Sequence, residues 1–473
     1  MSTLRALDST ADGRLAWLTF DRLAAALLFV VVGATACLMP AHNDTWWLLK
    51  SGQTIVETHV IPLRDTFSHT VNGQYWPNHE WLSQALFYLL YRAGGLPLVT
   101  AVAAAFVTLA WFVVWQLTPG RFGIRLFICA LPIATFATEW ALRPQVFTLA
   151  CMAATLWLLT RRQYWRLPPL LLVWANLHGG VTLGMIVIGA VAGIEALKQR
   201  RVLIAPVVSA AACVLATCLT PLGVTLWTYV PPTLKRLREA GVSEWQTPVL
   251  ADPAMFSFWC LLVVFVVALV TVRPWRKTIL EQGPAFWGAI ALIPASFSAA
   301  RNVPVLMEVL VPAVGGLLAA RFPVRVGAAE RRERPLVNAA MLATVGGFAA
   351  VAVAVAWTRE IPRLQWHPVP SDVITAIESC PGEIYNRYDE GGYLIWFTPD
   401  RKVFMDSRLD PYPADLVREH LRVESTGDYD ALFRRYAIGC AVVPADSVLA
   451  RRLKETHWTG RAQRSNWLVL TRS

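Results

Sequence analysis

His42-Asn43-Asp44-Thr45-Trp46-Trp47, leading on to Pro77-Asn78-His79-Glu80-Trp81-Leu82-Ser83-Gln84, forms the two ends of the first long polar interruption in an otherwise apolar chain. The interruption runs over 42–94, between the first hydrophobic segment and the second. Asp44 and Glu80 each stand close to a Trp and a His. Ionisable residues beside hydrocarbon are costly and tend to mark function. The stretch therefore reads as the outward-facing catalytic loop of a membrane enzyme.

Composition sets the frame around this loop. Hydrophobic residues make up 55% of the 473 and charged residues 16%, well under the roughly 25% charge of soluble domains. Mean hydropathy is +0.45, and the 21 Trp suit a chain with many membrane–water boundaries. The net charge of +11 does not point to nucleic acid. Lys and Arg stand in short clusters between apolar runs, as the positive-inside bias expects. A span needs about 20 apolar residues. Candidates fall at 23–40, 97–117, 124–138, 144–160, 167–178, 181–197, 202–219, 254–272, 283–300, 303–320 and 336–357. Residues 167–197 read as one long span, or as two short ones meeting at Asn176-Leu177-His178-Gly179-Gly180. Arg161, Arg162 and Arg166 before them and Lys198, Arg200 and Arg201 after them all belong in the cytoplasm, which two crossings satisfy and one does not. The fold class expected is an α-helical polytopic membrane protein of about 11 transmembrane helices, followed by a soluble domain.

Orientation follows from charge. With the N-terminus inside, Arg5, Arg14, Arg22, Arg121, Arg125, the two clusters above, Arg273, Arg276, Lys277, Arg321, Arg325, Arg331, Arg332 and Arg334 are cytoplasmic. They outnumber Lys50, Arg64, Arg92, Arg143, Lys235, Arg236, Arg238 and Arg301 of the outer loops. Three regions result: a cytoplasmic N-terminus (1–22) without a cleavable signal pattern, a transmembrane domain (23–358) with the outer loop 41–96, and an extracytoplasmic α/β domain (359–473). In the last, strand-like runs at 383–388, 392–397, 402–406 and 440–443 alternate with helical runs at about 371–379, 413–423 and 428–436. Cys37, Cys129, Cys151, Cys213, Cys218 and Cys260 fall in or beside apolar segments and read as small core residues. Cys380 and Cys440 read either as a disulfide or as two free thiols. No Cys/His metal spacing, phosphate-binding loop, dinucleotide fingerprint or HExxH occurs. Asp428-Tyr429-Asp430 spells a DxD pattern but precedes a helical run, where capping explains it.

On this topology Asp44, Glu80, Glu139, Arg143, Asn176, His178, Lys235, Arg236, Arg238, Glu244, Arg301 and Asn302 gather at the outer ends of the spans, as one site opening outward. Each also has a plainer reading. Asn43 or Asp44 caps a helix beginning at Thr45. Residues 79–92 form an amphipathic interfacial helix, with Glu80 as its first-turn acid. Glu139 and Arg143 form an i,i+4 ion pair. His178 is a hydrogen-bonded core residue. Lys235, Arg236 and Arg238 contact lipid head groups or a donor's phosphate, and Arg301 suits a phosphate equally well.

Asp44-Thr45-Trp46-Trp47 with Gly52, Pro62-Leu63-Arg64-Asp65-Thr66-Phe67-Ser68 and His79-Glu80-Trp81-Leu82-Ser83 resemble a group of bacterial multispanning proteins. That group is similar to the GT-C-type glycosyltransferases, which include the protein mannosyltransferases and the aminoarabinose transferases of lipid A. The likeness continues through Arg143-Pro144-Gln145, Trp174 to Gly180, Thr220-Pro221-Leu222-Gly223, Glu244-Trp245 and Ala300-Arg301-Asn302-Val303-Pro304. It reaches Tyr385-Asn386-Arg387-Tyr388, Gly391-Gly392-Tyr393-Leu394 and Val403-Phe404-Met405-Asp406-Ser407-Arg408. The resemblance implies a GT-C-like domain in the bacterial cytoplasmic membrane, a polyprenyl-phosphate-linked sugar as donor, and an inverting transfer. It makes Asp44 the general base. A second, adjacent acid is absent, since Asn43 precedes Asp44 and Thr45 follows; Glu80 or Asp65 substitutes. His42 and His79 flank the two acids as substrate-binding candidates. Arg301 and the Lys235–Arg238 cluster would hold the lipid phosphate. His178 and Glu80 would shape the acceptor side or bind a divalent metal ion. Membrane lipids are the other partner expected. Two rivals stand: a non-catalytic envelope-glycan assembly or export partner, and a secondary transporter, which needs ionisable residues in mid-span, whereas the charges here read as terminal.

Overall fold

The computed structural model describes residues 15–133, 140–199, 204–239, 241–272, 275–323 and 333–472. Helix α1 (Phe20–Ala36) leads to α2 (Asn43–Thr58), a short helix outside the first span, and then to the long α3 (Trp81–Leu117). Helix α4 (Phe122–Ala130), α5 (Gln145–Thr160), α6 (Leu167–Leu177), α7 (Val181–Gln199) and α8 (Ile204–Thr217) follow. Next come α9 (Thr225–Glu239), α10 (Phe256–Thr271), α11 (Trp275–Leu280), α12 (Pro284–Ser298), α13 (Val303–Arg321) and α14 (Pro335–Thr358). Each of the predicted spans overlaps one of these helices, and 134–138 of the third lies outside the described residues. Five described helices are long and apolar enough to cross a membrane: Trp81–Leu117, Val181–Lys198, Pro253–Thr271, Ala300–Arg321 and Pro335–Thr358. The chain breaks at His178-Gly179-Gly180, between α6 and α7, as the two-span reading requires.

Helix α3 is two arms. Its backbone leaves the helical region at Gly94 and Gly95, just before Pro97. A proline in a helix removes a hydrogen bond and clashes with the preceding turn, so the amphipathic arm from Trp81 lies outside the apolar one. The first arm packs on α2 through Gly52, where a Cβ would come within 2.1 Å of the Gln84 carbonyl oxygen. Ser51, Asn78 and Gln84 close the same contact: Ser51 Oγ donates to Gln84 Oε1 at 2.6 Å and Gln84 Nε2 to Asn78 Oδ1 at 2.6 Å.

The C-terminal domain holds α15 (Ser371–Glu378), β1 (Glu383–Asn386), α16 (Tyr388–Phe397), α17 (Ala414–Thr426), α18 (Asp430–Arg435), β2 (Ile438–Pro444), α19 (Val448–Glu455), β3 (Trp458–Arg464) and β4 (Trp467–Arg472). Its sheet has the order β1-β2-β4-β3, with β1 and β2 parallel and the other pairs antiparallel. Two expectations about these elements are corrected. Residues 392–397 are helix rather than strand: Tyr393-Leu394-Ile395-Trp396-Phe397 is apolar all round because α16 is wedged between the domain and α2, and a short buried run has no telling period. Gly392 permits the wedge, since a Cβ there would stand 2.1 Å from the Asn43 carbonyl oxygen. Residues 402–406 form no strand of the sheet. They pair instead with the first outer loop, where Val403 N–H donates to Phe67 O at 3.0 Å and His69 N–H to Val403 O at 3.0 Å. The edge strand β3 carries mostly exposed polar residues, so it shows no apolar alternation to read. Asp428 pairs on the surface with Arg422. The reading that charges are confined to span ends also fails at Glu308. It lies within α13, fully buried, and neither carboxyl oxygen has a hydrogen-bond partner.

A buried ion cluster locks the first outer loop to the domain. Arg408 lies 2.5 Å from Asp65 and 2.6 Å from Asp406, with no exposure at either carboxylate. Its guanidinium stacks 4.5 Å from the Trp76 ring and 4.9 Å from Phe67. Removing one partner of such a cluster leaves buried charge uncompensated, so Arg408→Ala is expected to cost about 3–5 kcal/mol; an unchanged thermal midpoint in detergent argues against the clamp. Cys380 and Cys440 form a disulfide, leaving six free cysteines. Alkylation of the denatured protein is expected to mark six thiols without reductant and all 8 with it; eight in both conditions contradicts the bridge.

Candidate active site at the outer ends of the spans

Asp44 opens α2, but the N-cap is His42 rather than Asn43 or Asp44. Thr45 Oγ1 donates to Leu142 O at 2.7 Å, and Leu142 N–H to Pro40 O at 3.1 Å. These two bonds fasten the segment before α5 beside the start of α2. Arg143 Nη1 thereby comes 3.1 Å from Asp44 Oδ2. The other carboxylate oxygen accepts from Trp47 Nε1 at 3.1 Å and from the Ser407 hydroxyl of the C-terminal domain. His42 Nδ1 stands 3.4 Å from Oδ2. The Asp44 backbone N–H donates to Asn43 Oδ1 at 2.8 Å and to His42 Nδ1 at 3.3 Å. Burial pushes the Asp44 carboxyl up; the hydrogen bond and charge of His42, the charge of Arg143 and the Ser407 hydroxyl outweigh it and hold the group far below the usual range.

Arg143 continues the row. It lies 3.7 Å from Glu244, and Glu244 lies 2.9 Å from Arg301. Ala300 N–H donates to Gln246 O at 2.8 Å, which ties the turn carrying Glu244 to the turn carrying Arg301. Trp245 stacks under the Arg301 guanidinium at 4.6 Å. Charge thus alternates along His42, Asp44, Arg143, Glu244 and Arg301.

Glu80 stands just before α3 with His79 Nε2 and His178 Nε2 each 3.4 Å from its Oε1. Thr148 Oγ1 accepts from Trp174 Nε1 at 3.0 Å and lies 2.7 Å from His178 Nδ1. The Gly180 backbone N–H also donates to that Nδ1. Nδ1 is therefore an acceptor and Nε2 carries the proton that faces Glu80. His79 Nδ1 faces Pro77 O at 3.1 Å and must donate to it. Burial pulls His79 down, but the hydrogen bond and charge of Glu80 and the charge of Asp410 raise it to about 9, so it is cationic. With Nδ1 accepting, His178 is neutral. Burial pushes Glu80 up, yet its pairing with His79 and the positive charges around it keep it lowered. A divalent cation does not fit this trio. His178 would have to give up its remaining proton, and His79 the Nε2 proton that pairs it with Glu80, and among the described residues no group of three or more His, Cys, Asp or Glu is placed to hold a metal.

Other candidates have structural partners. Asp65 accepts from the Ser68 backbone N–H and hydroxyl as well as from Arg408. Asn176 accepts from Trp81 Nε1 at 2.7 Å and donates to Leu172 O and Leu219 O, which positions the residue after Glu80. Asn302 Nδ2 donates to Ala295 O, closing the end of α12. Lys235 and Arg238 are exposed on α9, with Lys235 3.9 Å from Glu239. Among the described residues neither touches the Asp44–Arg301 row. The Arg236 side chain and Glu139 lie outside the described residues. Ser407 joins the site although no motif singles it out; its place beside Asp44 depends on pairing far along the chain. Asp389 feels the charges of His42, Asp44 and Glu244 and also borders the row.

No protein-family model matches the sequence, and no curated protein matches it. Among solved structures, the chain aligns over 97% of its length with 98% of ArnT from Cupriavidus metallidurans, bound to undecaprenyl phosphate, at 14% identity and a TM-score of 0.47. It aligns over 97% of its length with 40% of the arabinofuranosyltransferase AftD from Mycobacteria, at 15% identity and a TM-score of 0.46.

His79 leaves a pH signature. Its raised pKa contributes stability that is complete below its unfolded value of about 6.5 and is lost as pH rises through about 9. Thermal midpoints in detergent across this range are expected to fall on the alkaline side in wild type and less steeply in His79→Gln. Equal alkaline arms in the two proteins contradict a cationic His79.

Proposed function

We propose that this chain is a membrane glycosyltransferase that moves a sugar from a polyprenyl-phosphate donor to an extracytoplasmic glycan, lipid or protein. The observation that carries the reading is the half-buried, ionised Asp44 beside the Arg143–Glu244–Arg301 row. A carboxylate paired with one guanidinium, with a second across Glu244, offers a proton acceptor and a phosphate cradle along one row. The sequence resemblance supports the donor class and the single-displacement course.

In the reaction the bond from the anomeric carbon to the phosphate oxygen breaks while the acceptor oxygen bonds to that carbon. The acceptor's proton passes to Asp44, and polyprenyl phosphate leaves with one more negative charge. Arg143 and Arg301 stabilise that growing charge. Glu244, the most exposed carboxylate in the row, gives way to the incoming phosphate. The low pKa of Asp44 suits a late proton transfer, since the acceptor hydroxyl becomes strongly acidic only as its bond to an oxocarbenium-like carbon forms. Its contact with Ser407 is the one an acceptor hydroxyl would replace. Glu80, held by His79 and His178, is a second anionic centre on the acceptor side. The exposed Lys235 and Arg238 of α9 are left for lipid head groups.

A second reading draws on the same geometry. Both Asp44 oxygens already have partners, as they would in a non-catalytic partner of envelope-glycan assembly whose outer domain does the binding. Mass spectrometry of envelope glycans and lipid-linked sugars separates the two, in a deletion strain complemented with wild type or Asp44→Asn at matched level. Asp44→Asn is expected to slow transfer by about 10²–10⁴-fold, leaving the donor to accumulate. Full complementation by Asp44→Asn removes the base and favours the assembly reading.

A further inference from the structure

The C-terminal domain and the segment that follows α14 enclose a cavity of about 450 Å³ that the row around Asp44 does not use. Glu390, Tyr393 and Trp467 line it from the domain, and Gln365, Trp366 and His367 from the segment. Two buried polar atoms on its lining residues have no hydrogen-bond partner among the described residues: the Trp366 indole N–H, a donor, and Glu390 Oε2, an acceptor that stands 4.0 Å from Arg387 Nε. Unpaired buried polar atoms are uncommon and ask for a partner. Other polar groups here are engaged. Tyr393 hydroxyl donates to Gln365 Oε1 at 2.8 Å and Trp467 Nε1 to Pro368 O at 2.9 Å, which fix two of the aromatic rings. Burial pushes Glu390 up to about 7, against the pull of Arg387 and with the push of Asp389 and Glu424, as expected of a carboxyl awaiting a donor.

We propose that this cavity binds an uncharged, hydroxyl-rich sugar ring of the acceptor. A hydroxyl is donor and acceptor at once, so a sugar can satisfy both Glu390 and Trp366, while indole and phenol faces pack on its C–H surface. The place suits an acceptor. Ala41 N–H donates to Leu364 O at 2.8 Å, so the lining segment runs beside the start of α2. Helix α16 carries Glu390 and Tyr393 at the cavity and Asp389 within the field of Asp44 and His42. A glycan held here continues past α16 towards the carboxylate. The role as acceptor subsite rests on the glycosyl-transfer reading; the binding itself does not.

The test is a titration of the purified full chain in detergent with cellobiose, maltotriose and N,N′-diacetylchitobiose, followed by tryptophan fluorescence and saturation-transfer NMR. Wild type and Asp44→Asn are expected to bind at least one of these alike. Glu390→Gln and Trp366→Phe are expected to weaken that binding by about tenfold, and to raise the acceptor KM by a similar factor with kcat little changed. Absence of saturable binding to all three, or binding unaltered in both variants that retain the wild-type thermal midpoint, overturns the subsite. Binding that behaves as expected in a protein whose deletion alters no glycan leaves the cavity standing and removes the transferase reading instead.

Discussion

Arg408 is the residue on which the outer half of the molecule depends. It joins an acid of the first loop, Asp65, to an acid of the C-terminal domain, Asp406, with all three side chains out of water. Burying these charges is costly, and only the mutual pairing, the Tyr412 hydroxyl on Asp406 and the stacking on Trp76 and Phe67 compensate for it. One consequence is local: the neighbouring Ser407 is delivered to Asp44. The other is architectural, because the loop and the domain become a single body over the outer ends of the spans.

That body is assembled by close approach as well as by charge. Helix α2 lies between the first arm of α3 and α16, touching each at a residue without a side chain, Gly52 on one side and Gly392 on the other. Trp46 packs on Phe397 at 4.7 Å and on Trp396 at 6.1 Å, so the same helix that presents Asp44 is also anchored in the domain. Rigid support of this kind holds a charged group in place without solvent to stabilise it, which preorganised electrostatic sites require.

The electrostatics of the site follow from the way opposite charges alternate. Asp44, Glu244 and Glu80 face Arg143, Arg301 and a cationic His79, so the charges of these groups nearly cancel. Glu244 stands between two guanidiniums and is the more exposed of the two carboxylates in the row. The neutral His178, with its Nδ1 taken by Thr148 and Gly180, turns a proton towards Glu80 and contributes no charge of its own.

Much of this was legible in the residues. Apolar runs of span length, interrupted by basic clusters, determine a helical membrane protein because hydrocarbon admits little else. The break at His178-Gly179-Gly180, the amphipathic arm after Glu80 and the suspicion attached to Asp44, Glu80, Arg143, Glu244 and Arg301 all came from polar residues standing where apolar ones are cheaper. What the sequence could not supply was partnership. Whether Cys380 meets Cys440, whether 392–397 is strand or helix, and whether Asp65 serves chemistry or scaffolding each depend on a segment far along the chain. Asp65 reads as a candidate second acid, and Arg408 carries no sign of its partner until the loop docks. Lys235 and Arg238 suit lipid head groups or a donor's phosphate by type, and α9 leaves both exposed. Side-chain type and spacing fix what a residue is able to do; long-range packing, which sets burial and neighbours, decided what each one does.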